Sequence, residues 1–162
     1  MSVVVSDTSP IVCLTFLGHE NFLSELFGEV FVPTAVAFEL ARSVAGPIDV
    51  ASILGVSIRS PKDSRSVQSL DARLDAGETE AISLAIELSA DLLLIDEAVG
   101  RQIAKGLGLA TTGTIGVLLR SKQVGKIISV RPLLDRLREE LGFFISNTLY
   151  AQVITLSGES AS

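Results

Sequence analysis

Histidine and cysteine are nearly missing from this chain: its 162 residues include one of each, Cys13 and His19. A single cysteine excludes an intramolecular disulfide and any thiolate metal cluster, and it suits a reducing cytoplasm. A single histidine argues against His-rich zinc sites and against a Ser-His-Asp triad. Any bound metal would therefore take mostly oxygen ligands. Long apolar runs are missing too, since none approaches the roughly 20 residues that span a bilayer, and no membrane association is expected. The N-terminal MSVVVSDTSP has no basic segment and reads as a first strand rather than a signal peptide. Basic charge is scarce, with 13 Lys and Arg against 19 Asp and Glu, for a net charge of −6. That balance argues against a general nucleic-acid coat protein. It is compatible with an enzyme whose acids gather at a cation site, because bound cations reverse the local field. Repeats, low-complexity tracts and linkers are also lacking. With 48% hydrophobic residues, the chain is expected to form one domain over residues 1–157, followed by a frayed tail at 158–162.

What is present alternates between strand and helix signals. Val3 to Val5 reads as a buried strand, ending at Ser6-Asp7-Thr8-Ser9-Pro10. Ser9 suits an N-cap and Pro10 a first helical position, with Gly18 as the stop. A second helix is expected over about Glu20 to Phe27, a strand over Val30 to Val32, and a helix from Pro33-Thr34 through Leu40. Asp49 to Leu54 reads as a short helix, Val56 to Ile58 as an extended piece, and Val67 to Leu74 as helical. Gly77 onward is an amphipathic helix with Ala81, Ile82, Leu84, Ala85 and Leu88 on its apolar stripe and Glu80 and Glu87 on its solvated face. Leu92 to Ile95 is a strand, followed by a helix over Ala98 to Leu107 and a strand over Leu109 to Thr111. Thr112-Gly113-Thr114 then opens a helix over Ile115 to Ser121. Helices over about Pro132 to Leu141 and Thr148 to Leu156 complete the chain. This alternation predicts a parallel α/β sheet of about four to five strands, covered by helices on both faces.

Four acids stand out against that background. Asp7 and Asp96 leave the carboxyl ends of two predicted parallel strands, the edge where open α/β sheets bind ligands. Glu39 is the only charge in the segment Val30 to Ala41, and Glu78 lies on the apolar stripe of its helix. Each has an ordinary explanation: Asp7 and Asp96 as helix caps, Glu39 at the rim of its helix face, and Glu78 as a first-turn carboxylate. A shared cation site explains all four together, and hard oxygen ligands select Mg²⁺ or Mn²⁺. Glu97 is a further candidate in a first turn. Around these acids, Thr8, Ser9, Arg101, Lys105, Thr112 and Thr114 are candidate substrate contacts. Arg101 and Lys105 share a helix face just beyond Asp96, and a helix start at Thr112 to Thr114 can hold an anion. Lys122 and Lys126 are additional candidates for a cationic rim. Cys13 reads as core packing and His19 as a surface residue at a helix start.

The segments VVVSDTSPI, VPTAVAFEL, LDAGETEAISLAIELSADLLLIDE, LGLATTGTIGVLL and GFFISNTLYAQVI together resemble the PIN domain family. The resemblance is to a prokaryotic subgroup with a GExEAI helix and an IDE strand end, and it covers nearly the whole chain. It implies a PIN-like three-layer fold with an acidic site at the carboxyl ends of the strands, and Mg²⁺- or Mn²⁺-dependent ribonuclease activity. Mapped by motif, the acids are Asp7, Glu39, Glu78 and Asp96, both as catalytic residues and as metal ligands. The third position is often Asp in the toxins of toxin–antitoxin pairs and is Glu78 here. The resemblance also implies a cytoplasmic protein with an RNA substrate, a small antitoxin partner and a homodimer. Two other classes fit parts of the pattern. A binding module with a degenerate site would keep the fold without the chemistry. A phosphatase with Asp7 as nucleophile would want a second Asp at position 9, which is Ser.

Overall fold

The computed structural model describes residues 2–43 and 45–160. Short β-branched and leucine-rich runs form the strands β1 (Val4–Ser6), β2 (Val30–Val32), β3 (Val56–Ile58) and β4 (Leu92–Leu94), with β5 at Thr111–Thr112. Every pairing is parallel, in the order β3-β2-β1-β4-β5. Parallel neighbours require crossover connections, which helices supply. These are α1 (Thr8–Phe16), α2 (Phe22–Phe27), α3 (Thr34–Ala41), α4 (Arg65–Gln68), α5 (Ala76–Glu87), α6 (Ala98–Gly106), α7 (Thr114–Gln123), α8 (Arg131–Arg136) and α9 (Asn147–Leu156). Only a single tight turn, Val50–Ser52, forms where a short helix was expected, and α8 widens into a π-helical turn at Leu137–Leu141.

Successive strand side chains face opposite sides of a sheet. Val4, Val30, Val32 and Leu94 accordingly join one core with α1, α2, α3, α7 and the C-terminal helices. Val5, Leu93 and Ile95 join a second core with Val67, Ala81, Ile82, Leu84, Ala85 and Ala104. The result is the expected three-layer α/β fold. From β1 the chain moves outward through β2 to β3, then returns to the other side of β1 as β4. The sheet order therefore reverses between β1 and β4, and ligands bind at the carboxyl side of such a reversal.

Several local expectations are corrected. The first helix is capped at Asp7 rather than Ser9, so Thr8 and Ser9 lie inside its first turn. The helix expected over Val67 to Leu74 is only Arg65–Gln68, because the Asp71 carboxylate takes the Arg73 backbone N–H (2.8 Å) and closes a local turn. Glu80 is not simply solvated: its carboxylate accepts from the Ala35 N–H (3.1 Å) at the open start of α3. The tail is not frayed at Glu159, whose carboxylate accepts from the N–H groups of Val130 (2.8 Å) and Arg131 (3.1 Å), from Lys122 Nζ (3.0 Å) and from the Ser129 hydroxyl. Residues 161 and 162 of that predicted tail lie outside the described residues.

Candidate functional site

Asp7 leaves β1 beside β4, its N–H bonded to the Leu94 carbonyl (2.9 Å). Its side chain is 4% exposed, and Oδ1 is buried without a hydrogen-bond partner. Burial pushes its pKa up to about 8, the Thr8 N–H offsets part of that, and the charges of Asp75, Glu78 and Glu39 add to the rise.

Glu39 reaches the same place from α3. Its Oε2 accepts from Thr8 Oγ1 (2.6 Å) and its Oε1 from the Gly77 N–H (3.1 Å). Glu78 comes from the first turn of α5 and is 6% exposed. Its carboxylate accepts from the Asp75 N–H (3.1 Å) while Asp75 accepts from the Glu78 N–H (2.7 Å), a reciprocal capping box. Burial raises its pKa to about 6, and the charges of Asp75 and Glu97 push the same way.

Asp96 lies on the other side of the α1 start. Its Oδ2 accepts from Ser9 Oγ (2.7 Å) and Thr114 Oγ1 (2.7 Å), and its Oδ1 from the Thr114 N–H (2.7 Å). The four predicted acids thus occupy one edge of the sheet in two connected groups: Asp7, Glu39 and Glu78 together, and Asp96 beside them. Two consecutive hydroxyls, Thr8 and Ser9, tie one group to the other. Thr114 is fully buried, so it positions Asp96 and is not available as a substrate contact.

A cleft of about 820 Å³ opens beside Asp96, lined by Ser9, Glu97, Arg101, Lys105 and Thr112 among others. The expected cationic rim is therefore present in part. Arg101 and Lys105 line the cleft, whereas Lys122 is paired with Glu159 (3.0 Å) and Lys126 with Glu25 (2.9 Å). Cys13 is buried, and its thiol is raised to about 11 by burial and the nearby Asp96 charge, which keeps it inert. His19 stacks on Phe22 at 4.4 Å.

Two features escaped the sequence reading. Asp75 is a fifth acid of the site, and its D-x-x-E spacing to Glu78 is a capping-box signal legible in the sequence. The other is a set of glycines. A Cβ on Gly77 would stand 2.6 Å from Glu39 Oε1, one on Gly100 2.9 Å from Glu78 Oε2, and one on Gly113 2.6 Å from Asp96 Oδ1. Gly113 has φ −114°, a value open to any residue, so space rather than backbone freedom demands glycine there.

The candidate donors here are all oxygen, the set that hard divalent cations prefer, and Asp7 Oδ1 is a buried oxygen without a hydrogen-bond partner. Among the described residues, no three acids stand close enough together to cage an ion as they are. Glu39, Glu78 and Asp96 instead take hydroxyl and amide donors. Among the described residues no helix is long and apolar enough to cross a membrane. No curated protein sequence matches the chain. The profile of a family described as PIN domain matches residues 3–159. That match spans nearly the whole sequence, and the protein belongs to the PIN domain family, whose fold is of the nuclease type and whose members typically depend on divalent metal.

Proposed function

We propose that this protein is a Mg²⁺- or Mn²⁺-dependent endoribonuclease, with Asp7, Glu39, Glu78 and Asp96 as its catalytic, metal-holding acids. The observation that carries this reading is Asp7: a residue 4% exposed, with an unpartnered carboxyl oxygen, that feels the charges of Asp75, Glu78 and Glu39. Such a group is costly to ionise alone, and a cation would relieve that cost. When bound, the metal supplies Lewis acidity toward the phosphoryl group and the attacking water. The chain's own residues do the rest. Thr8 and Ser9 fix the rotamers of Glu39 and Asp96, and Thr114 holds Asp96 from the far side. Asp7 would offer its unpartnered Oδ1 to the cation, as an ionised carboxylate. Arg101 and Lys105 hold the phosphates flanking the scissile bond, which orients the strand without reading its bases.

The deciding experiment is cleavage of RNA in Mn²⁺, with and without chelator, by the wild type and by Asp7→Asn. Cleavage abolished by chelator and by the substitution is expected. RNA binding without cleavage under any divalent condition would refute the enzyme reading and leave a binding module. A small antitoxin partner, a homodimer and a cytoplasmic location, which the resemblance implies, belong to the same proposal. Co-purification and the mass in solution test the first two.

A further inference from the structure

The loop after the π-helical turn carries an aromatic side chain with no role in the core. Gly142, at φ 78°, reverses the chain, and the Phe143 N–H returns to the Leu137 carbonyl (2.9 Å). Phe143 packs on the core, Ile145 is buried, and the Ser146 hydroxyl caps α9 by accepting from the Leu149 N–H (3.1 Å). Between these fastened residues Phe144 points outward, 87% exposed. A lone exposed phenylalanine is ordinary on a protein surface. This one lines the cleft that holds Asp96, Arg101 and Lys105. Among the described residues, neither of those two cations forms an ion pair. An exposed aromatic ring on an anchored loop, two available cations and an acid of the proposed catalytic group thus share one open cleft.

We propose that Phe144 is a base-stacking platform for single-stranded RNA: an unpaired base stacks on its ring while the neighbouring phosphates lie on Arg101 and Lys105. This rests on the nuclease reading and adds to it the residue that sets the path of the strand. Every base offers a π face, so the contact tolerates any sequence but requires an unpaired base. The anchoring of Phe143, Ile145 and Ser146 means that little backbone entropy of this loop is lost on binding.

Phe144→Trp would give the chain its only tryptophan, and its emission reports stacking directly. The full chain is titrated, in Mg²⁺ and again in chelator, with a phosphorothioate single strand that resists cleavage and with the same sequence as a duplex. Quenching by the single strand and not by the duplex is expected. Phe144→Ala should weaken single-strand binding roughly 5- to 150-fold, the range of base–aromatic stacking, with an unchanged salt slope. Arg101→Ala with Lys105→Ala should instead flatten the salt slope by about 1.4, for two phosphates lost. If Phe144→Ala binds as the wild type does and the tryptophan emission is unmoved at saturation, the platform is refuted while the nuclease reading survives. Equal quenching by duplex also refutes it. Failure of the wild type to bind any single strand in either buffer overturns both readings.

Discussion

Replacing Asp7 by Asn should make the metal-free protein more stable, and more so as the pH rises. The folded chain holds a proton on Asp7 up to about pH 8, whereas the ordinary carboxyl value is 3.8. Between those values the folded state carries one proton more than the unfolded state, so folding takes up a proton. Stability is then fully present below the unfolded value, falls through the window and levels off above about pH 8. Each unit of pH within the window removes about 1.4 kcal/mol. At about pH 7 the accumulated cost is at most a little over about 4 kcal/mol.

Asn never ionises and escapes that cost, although its amide must still find partners in a site that leaves Asp7 Oδ1 without one. An unsatisfied buried group costs about 1–3 kcal/mol, so a net gain of about 2 kcal/mol at neutral pH is expected. At about 2–4 °C per kcal/mol for a chain of this size, that is a rise in Tm of about 4–8 °C. The assay is urea denaturation of both proteins in chelator, from acid to mildly alkaline pH. Near the ordinary carboxyl value the Asp7→Asn protein should be the less stable, by the cost of its unsatisfied amide, and the two stability curves should cross and then diverge as pH increases. Glu78 titrates in part of the same window but is present in both proteins, so the difference between the curves isolates Asp7. With Mn²⁺ added the order should reverse, because only the wild type keeps the ligand that couples folding to the cation. Parallel curves in chelator, or an Asp7→Asn protein less stable throughout, would refute the reasoning.

Gly113→Ala should fold and lose cleavage, because its Cβ falls 2.6 Å from Asp96 Oδ1 and must turn that carboxylate away from the Thr114 N–H. An unchanged melting profile with cleavage reduced as in Asp96→Asn is expected, and full activity would show that Asp96 need not hold this position. Glu159→Ala should cost about 0.5–2 kcal/mol, since its carboxylate caps the start of α8 through Val130 and Arg131. Burial alone would raise the Glu159 pKa, but hydrogen bonds from Ser129, Val130, Arg131 and Lys122 hold it below the usual range. Its contribution should therefore be present at neutral pH and fade as acid protonates it, which denaturation of both proteins across the acid range would reveal.

The strands were legible because parallel strands buried on both faces are written as unbroken apolar runs, such as Val3 to Val5 and Leu92 to Ile95, with an acid at the end of each. The acids of the site were legible for the same reason: a charge in or beside apolar sequence has few ways to be satisfied. What the sequence hid are contacts made across the fold. The Glu80 carboxylate meets α3 through a backbone N–H 45 residues away, and Glu159 meets the start of α8 from a tail of small polar residues. Neither pairing leaves a periodic trace, because the partner is a main-chain group whose identity no side chain encodes. The glycines at 77, 100 and 113 were hidden differently. Each falls in a helix or at a helix boundary, where glycine reads as a weak position or a stop, and only the placed carboxylates show it to be a space kept clear. A site built from buried acids thus has two sequence signatures of unequal visibility. The charges announce themselves by their surroundings, and the absent side chains that make room for them become visible only when the helices are brought together.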